Sequence, residues 1–502
     1  MTATATEPEA PARRRILPDL SIPRIVLRWL IIGGLAVFAF WDSFVGLAYT
    51  TTHGGVNGYL WTIPIAAVLA AQGIARRPRT ELPIHDRQTD IILGIMGLTL
   101  SVLLKSVLMP RYAEYFHLLR LDFVALWVFV ASSAVVLFGL RPVIRYASVW
   151  VMTLSVFPLP YHLLVALLGG NRTAAGAVTL LIAGSATAIA VGRTNKRAVI
   201  GYVAAFAVGA VLLAVLSVLT PNWPLIVFQT VPALVATASV GTVMFLVARR
   251  GARKAPLDRK VEPLAAGQVK RSVPIVVATA IILSLFHVPG PHGPPVREFN
   301  GLQMSGLLRP PAGFHVTETE VFTYVRRLHG VAAIMTRQRM VADVGNRKWD
   351  KDARPRTVLV DNVVTERPFT FNMYPAKILY NITAARMSEP QPVDLGYGIT
   401  GELVSVVDDR MTITWNMLQW TWRTETHAQR VVLVSVDNHD DDAPFPQPNG
   451  TLVPTLNTLL TVLFRGNAAV MDKSPTFKDL DLLTTFGRGL VEAQLGPIGV
   501  RR

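Results

Sequence analysis

From about residue 27 to residue 288 the chain runs through apolar blocks separated by short polar ones. Nine blocks have the length of a bilayer-spanning helix, about 20 residues: Leu27–Tyr49, Gly58–Ala75, Ile91–Met109, Phe123–Leu140, Val143–Gly169, Ala174–Gly192, Val199–Leu219, Pro224–Ala248 and Val273–Val288. The first is too long, and followed by too many others, for a cleaved signal peptide. Residues 1–24 are rich in Ala, Pro, Glu and Arg and read as a disordered cytoplasmic tail. Past Val288 the pattern changes. Residues 289–310 open with Pro289-Gly290-Pro291 and Pro294-Pro295, a stiff, turn-rich linker. Residues 311–502 have the balance of a domain with one core. There Met411, Ile413, Trp415 and Met417 alternate with Thr412, Thr414 and Asn416, the period of a half-buried strand. Val431–Val436 suits a sheet interior. Leu456, Leu459, Leu460 and Leu463 have helical spacing, as do Leu480, Leu483, Phe486 and Leu490. The predicted architecture is a polytopic α-helical membrane protein with about nine transmembrane helices in residues 25–288, followed by an α+β domain.

Composition agrees: 51% of residues are hydrophobic and only 16% charged, against about 25% in an ordinary soluble domain. Charge adds an orientation. Residues 289–502 carry 23 Lys and Arg against 22 Asp and Glu, so nearly all of the net charge of +16 lies in the first 288 residues. It lies between apolar segments, which argues against a nucleic-acid partner and for loops kept on the cytoplasmic side. With the N-terminus inside, the inner loops hold 21 Lys and Arg, and the outer ones only Arg111, Arg120 and Arg172. Nine spans then put the C-terminal domain outside the cell membrane. A basic inner face suits anionic lipid headgroups.

Ionisable groups in or beside spans are the first candidates for chemistry, because burying a charge in lipid is costly unless it is paired or hydrated. On this topology Asp42, His53, Lys105, Arg111, Glu114, His117, Arg120, Asp122 and His162 all lie toward the outer leaflet. An outward-facing, water-accessible polar cavity would satisfy them together; snorkelling to the interface is the alternative for the long side chains. Asp42 is too short to snorkel. Pro158 and Pro160 break the fifth apolar block and bend or unwind its helix.

Tyr49-Thr50-Thr51-Thr52-His53-Gly54-Gly55, then Gly58-Tyr59-Leu60 and a span ending in Arg76-Arg77, resembles the Tyr-Ser-His-Gly stretch and second helix of the exosortase/archaeosortase family. Leu121-Asp122 opens a span ending at Gly139-Leu140-Arg141, similar to the family's Gly-Trp-Arg turn, and Phe157-Pro158-Leu159-Pro160-Tyr161 is similar to its hydrophobic-Pro-Leu-Pro segment. The resemblance covers residues 40–165. It implies a polytopic membrane transpeptidase that cleaves a C-terminal sorting signal from exported proteins with a Cys, an Arg and a His, and it matches His53 to a family motif. Some members also bear an exported C-terminal domain of similar size. This chain has no Cys. Thiolate catalysis is therefore excluded, and Ala183-Gly184-Ser185-Ala186 is the nearest echo of the family's Cys-Ser-Gly stretch.

The leading expectation is an exosortase-like pseudoenzyme of the cell envelope that recognises, sorts or assembles exported proteins or polysaccharide. Its expected partners are membrane lipid and envelope proteins with a transmembrane tail. One alternative is a polyprenyl-phosphate-dependent glycosyltransferase, with Asp42 as base and Arg111 or Arg120 gripping phosphate. Another is a secondary transporter using Asp42 and the proline break. No cofactor is implied. Asp437, Asn438, His439, Asp440, Asp441 and Asp442 form an acidic stretch whose oxygens (Asp437, Asp440 and Asp442 foremost) could hold Ca²⁺, but the spacing lacks the Gly and distal Glu of a known loop and reads as a solvated turn. Trp420 and Trp422 share a strand face opposite Trp415, which favours core packing over a ligand platform.

Overall fold

The computed structural model describes residues 21–77, 87–249, 266–290, 296–382, 385–440, 443–449 and 470–498, with scattered positions between 456 and 464. Its main helices are α1 (Ser21–Ala39), α2 (Trp41–Thr52), α3 (Thr62–Ala75), α4 (Arg87–Leu103), α5 (Leu121–Phe138), α6 (Ala147–Thr153), α7 (Leu159–Leu167), α8 (Arg172–Val191), α9 (Asn195–Leu219), α10 (Leu225–Arg249), α11 (Ala266–Ser284) and α12 (Leu480–Leu495). Among the described residues six helical segments are long and apolar enough to cross a membrane, and two bent pairs raise that number to as many as eight. These helices fit a multi-pass membrane protein. The ninth apolar block forms only a shorter apolar helix, Arg271–Ser284. Most of the expected tail lies outside the described residues, and α1 already begins at Ser21.

The membrane half consists of two groups of helices. In one, α1, α4, α5 and α11 bury Ile32, Phe40, Leu98, Phe129 and Ala280 against each other. In the other, α8 packs on α3, α9 and α10 through small residues. A Cβ at Gly73 of α3 would overlap the Ala190 backbone of α8, so glycine there sets the approach of the two helices. At the ends opposite the sheet domain, arginines cap helix C-termini, where carbonyls lack partners and the dipole is negative. Arg28 donates to the Leu137 carbonyl at 3.0 Å and Arg87 to Val136 at 2.9 Å. Arg77 donates to the Ile189 carbonyl and Arg145 to that of Arg77, the latter at 2.8 Å. Part of the basic excess thus closes helix ends.

Two of the expected single helices are broken. The proline break expected at Pro158 and Pro160 is present: Ala147–Val156 and Leu159–Leu167 meet at 68°. The first apolar block, expected to be continuous, is instead two helices meeting at 72° about Phe40. No proline causes this second break. A π-turn, Leu104–Leu108, widens the end of α4 and turns Lys105 inward. The Lys105 ammonium lies 2.8 Å from the Ala39 carbonyl and 3.0 Å from that of Leu283, closing the C-termini of α1 and α11 together, with the Phe40 ring 4.6 Å away.

The C-terminal half is built on a nine-stranded, largely antiparallel sheet. The path runs β2 (Phe314–Phe322), β3 (Ile334–Ala342), β4 (Thr357–Thr365), β9 (Ala428–Val436), β8 (Ile413–Arg423), β7 (Thr400–Asp408) and β5 (Arg386–Met387). Off this path β6 (Gln391–Asp394) pairs with β7, and β1 (Arg297–Glu298) lies parallel to β8. Residues 296–310, expected in the linker, therefore belong to the sheet domain, where Phe299, Leu302 and Leu308 are buried. The expected strand around Met411 begins at Ile413, with Met411 exposed. β9 is buried along its whole length, as a central strand covered on both faces must be. One face, with Trp420 and Trp422, carries α12 through Leu483, Phe486 and Leu490. The other, with Trp415 and Met417, is covered by Phe371, Leu379 and Tyr380. All three tryptophans are core residues. Leu459 and Leu463 of the other expected helix lie outside the described residues.

Candidate functional site

One end of the helical half is closed by a turn of the sheet domain. Phe369, Met373, Tyr374 and Ile378 share a buried apolar cluster with Leu47, Tyr59, Phe116 and Tyr161. Polar groups are threaded through this layer. The short helix Val56–Trp61 between α2 and α3 stacks Tyr59 flat on Tyr161, ring centroids 3.7 Å apart. Tyr59 donates to the Ser155 carbonyl at 2.8 Å, and Tyr161 to that of Ala175 at 2.8 Å. Gln229, one turn into α10, donates to Tyr161 Oη at 2.9 Å and to the Val56 carbonyl at 2.6 Å.

At the centre, His162 follows the proline break. Its Nε2 lies 2.9 Å from Asn57 Oδ1, its Nδ1 lies 3.3 Å from the hydroxyl of Tyr374, and Asn57 Nδ2 donates to the His117 carbonyl at 2.9 Å. One assignment of protons satisfies every pair: Tyr374 donates to Nδ1, and Nε2–H donates to Asn57. The result is a hydroxyl–imidazole–amide chain across the two halves of the protein. Both His162 and Tyr374 are buried.

Arg120 and Asp122 make the second feature of the layer. Arg120 ends the short helix Phe116–Leu119 in a left-handed conformation, φ 43°, which turns its guanidinium back onto a carboxylate two residues ahead. Nε and Nη2 donate to the two Asp122 oxygens at 3.0 and 2.8 Å, and Nη2 also reaches the Ser43 carbonyl at 3.1 Å. Both side chains are 0% exposed. The rings of Phe116 and Phe123 lie 5.0 and 4.5 Å from the guanidinium carbon.

Not all nine expected residues gather here. His117, Arg120, Asp122 and His162 do, and Glu114 lies at the rim, paired with Lys377 of the sheet domain. Arg111 is partly buried nearby in sequence. Asp42 is half exposed at the start of α2, 4.0 Å from His287. His53 is exposed, stacked on Tyr49 at 4.0 Å and bonded to that residue's carbonyl at 2.9 Å. Lys105 is spent on the two helix ends. The Tyr374 turn of the sheet domain covers the four that gather, with Tyr374 against His162. Arg120, one of the two arginines expected to grip phosphate, is held by Asp122. Ser185 donates to the Leu181 carbonyl of its own helix at 2.8 Å. Asn57, Tyr59, Tyr161, Gln229 and Tyr374 complete the layer without being among the nine. Their sequence signals are weak: an Asn just ahead of an apolar block, a Gln inside one, two Tyr noted only within the resembling motifs, and a Tyr in the distal domain.

Lys105→Ala should leave two helix-end carbonyls without a donor, at a cost of about 2 kcal/mol or more. Thermal unfolding of the purified full chain checks this, and Lys105→Gln, which keeps donors, should recover part of the loss.

On the domain side, burial opposes the charge of Lys377, but Glu114 and Tyr115 hold it protonated and raise its pKa. His329 is buried between Phe371 and Tyr374 with Nδ1 2.9 Å from Thr370 Oγ1. Desolvation first, and Arg430 second, push its pKa from 6.5 down to about 3. Its neutral form is the folded one, so protonation favours unfolding, and stability is lost as pH falls from 6.5 toward 3. The expected slope is about 1.4 kcal/mol per pH unit. His329→Gln should flatten that part of the thermal-midpoint profile.

In the acidic stretch, Asp437 accepts from the Thr414 backbone at 3.0 Å and lies 3.5 Å from Lys478, while Asp440 lies 3.7 Å from Arg354. His439 pairs with Asp350 at 2.6 Å. Among the described residues no group of three or more His, Asp or Glu side chains converges as a metal site, and Asp441 and Asp442 lie outside them.

Comparison with protein-family models, curated proteins and solved structures finds no match for the chain.

Proposed function

We propose that the chain is a multi-pass protein of the cell envelope, N-terminus inside and sheet domain outside, which recognises the membrane-anchored tails of exported proteins for sorting or assembly. In this reading it is exosortase-like in layout but does no thiol chemistry. One observation carries it: the segments behind the resemblance, separated in sequence, meet in one layer. Tyr59 stacks on Tyr161, Asn57 bonds His162, and Arg120 holds Asp122. The sheet domain closes that layer with Tyr374. A recognition role suits a polar layer this deeply buried better than turnover does, since catalysis needs a reachable reacting group.

Two measurements test this. The chain is naturally free of Cys, so single cysteines report topology directly. Glu425→Cys, in an exposed turn of the sheet domain, should react with a membrane-impermeant maleimide in intact cells, and Lys196→Cys only after permeabilisation. For the client, a photoreactive side chain at exposed Tyr49 should capture exported proteins that carry a transmembrane tail. Equal capture of the same proteins from lipid-facing Val211 would remove the recognition reading.

A further inference from the structure

Arginines of both halves come to the joint: Arg172 from the helical half, and Arg367 and Arg430 from the sheet domain. Arg430 is buried and donates to the Tyr374 and Phe371 carbonyls at 2.8 and 2.6 Å. Arg367 lies over Gly330, whose missing Cβ would sit 3.2 Å from the Arg367 side chain. Three residues before Gly330, the Arg327 carbonyl presses on Gly170, just ahead of Arg172 at the start of α8. Burial first, and the charge of Arg172 second, lower the affinity of the Arg367 guanidinium for its proton, against smaller opposing contributions from Glu366 and Tyr374. Among the described residues no carboxylate pairs with Arg172 or Arg367: the neighbouring Glu366 faces His427 at 3.8 Å. Residues 450–469, part of which returns to this joint through Leu456, contain no Asp or Glu. Like charges placed together disfavour one another, and an anion between them relieves that repulsion.

The surroundings say what kind of anion. Arg172 donates to the carbonyls of Pro221 and Trp223, the latter at 3.2 Å, so its guanidinium lies where α8 and α10 enter their apolar stretches. Trp223 itself, and Leu167, Leu168 and Leu219 within five residues of Arg172 or of the carbonyls it meets, are exposed. An exposed Trp at a span end marks the headgroup level of a bilayer. Cationic side chains above exposed apolar ones fit a molecule with an anionic head and lipid tails, whereas a free soluble anion would leave the apolar residues unused.

We propose that Arg172 and Arg367 together hold the phosphate of an anionic phospholipid, which seats the sheet domain on the membrane surface. The proposal rests on the membrane-spanning reading of α8 and α10, which the cysteine-labelling test addresses separately. Each arginine near a charged headgroup is worth about a five-fold change in binding.

The test uses the purified full chain in neutral detergent, with retained lipid read by native mass spectrometry. Phosphatidylglycerol and phosphatidylcholine are offered separately, and inorganic phosphate as competitor. Phosphatidylglycerol should be retained in preference to phosphatidylcholine. Arg172→Gln and Arg367→Gln should each lower its retention about five-fold, and the double variant about 25-fold, given additive contributions. Arg367→Lys, which keeps the charge, should stay within about two-fold of the parent, and Arg309→Gln, on an exposed loop beside α12, should change nothing. Equal retention of both lipids, an unaltered double variant, or full displacement by inorganic phosphate would overturn the assignment.

Discussion

Asp122→Asn should be the most damaging single exchange in the helical half. It keeps the shape of the side chain but removes the charge that Arg120 grips through two bonds in a layer where both residues are 0% exposed. Breaking one partner of such a pair costs about 3–5 kcal/mol, because the remaining charge has lost its counterpart without regaining water. The expected outcome is a purified yield near zero or a thermal midpoint lowered by many degrees. The double exchange Arg120→Met with Asp122→Leu should recover much of the loss, since it removes the buried charge as well as the pair. A single Asp122→Asn protein as stable as the parent would mean that Arg120 reaches water, and that the layer is open.

Gly170→Val should detach the sheet domain while leaving both helix groups folded. Gly170 has φ +71°, and a Cβ there would overlap the backbone carbonyl of Arg327. The left-handed conformation alone costs a β-branched residue about 1–3 kcal/mol, and separating the two halves relieves the overlap. Limited proteolysis and hydrogen exchange in residues 366–378 should accelerate about ten-fold or more, the change that 1.4 kcal/mol brings. Unchanged protection there would show that the Arg327 turn yields without undocking.

Much of this fold was legible because its strongest signals are local. Every apolar block contains helix, and the Pro158/Pro160 break falls where a missing backbone N–H requires it. The face assignment of Trp415, Trp420 and Trp422 follows from strand alternation alone. What stayed hidden is tertiary. The bend at Phe40 has no local cause: it is held by Lys105, sixty-six residues away from Ala39, through a π-turn that no spacing rule announces. The pairing of β4 with β9 joins strands that β5 to β8 separate in sequence. The candidate residues were legible by type, since charges in apolar blocks need an explanation. Their grouping was not. Arg120 and Asp122 pair at a spacing of two only because Arg120 takes φ 43°. His162 finds its partner in Tyr374, two hundred and twelve residues later.

The seal between the two halves is tested most directly by cross-linking in native membranes. Glu114→Cys and Lys377→Cys replace an ion pair that spans the joint, in a chain with no other Cys. With a protease site placed in residues 291–295, a short bismaleimide should join the two cysteines, so that the halves stay as one species after cleavage. Glu114→Cys with Lys351→Cys, in the exposed connection between β3 and β4 at the opposite end of β4, should separate under the same treatment. If the Glu114/Lys377 pair also separates, the sheet domain does not rest on the helix ends, and the layer around His162 is not a closed site.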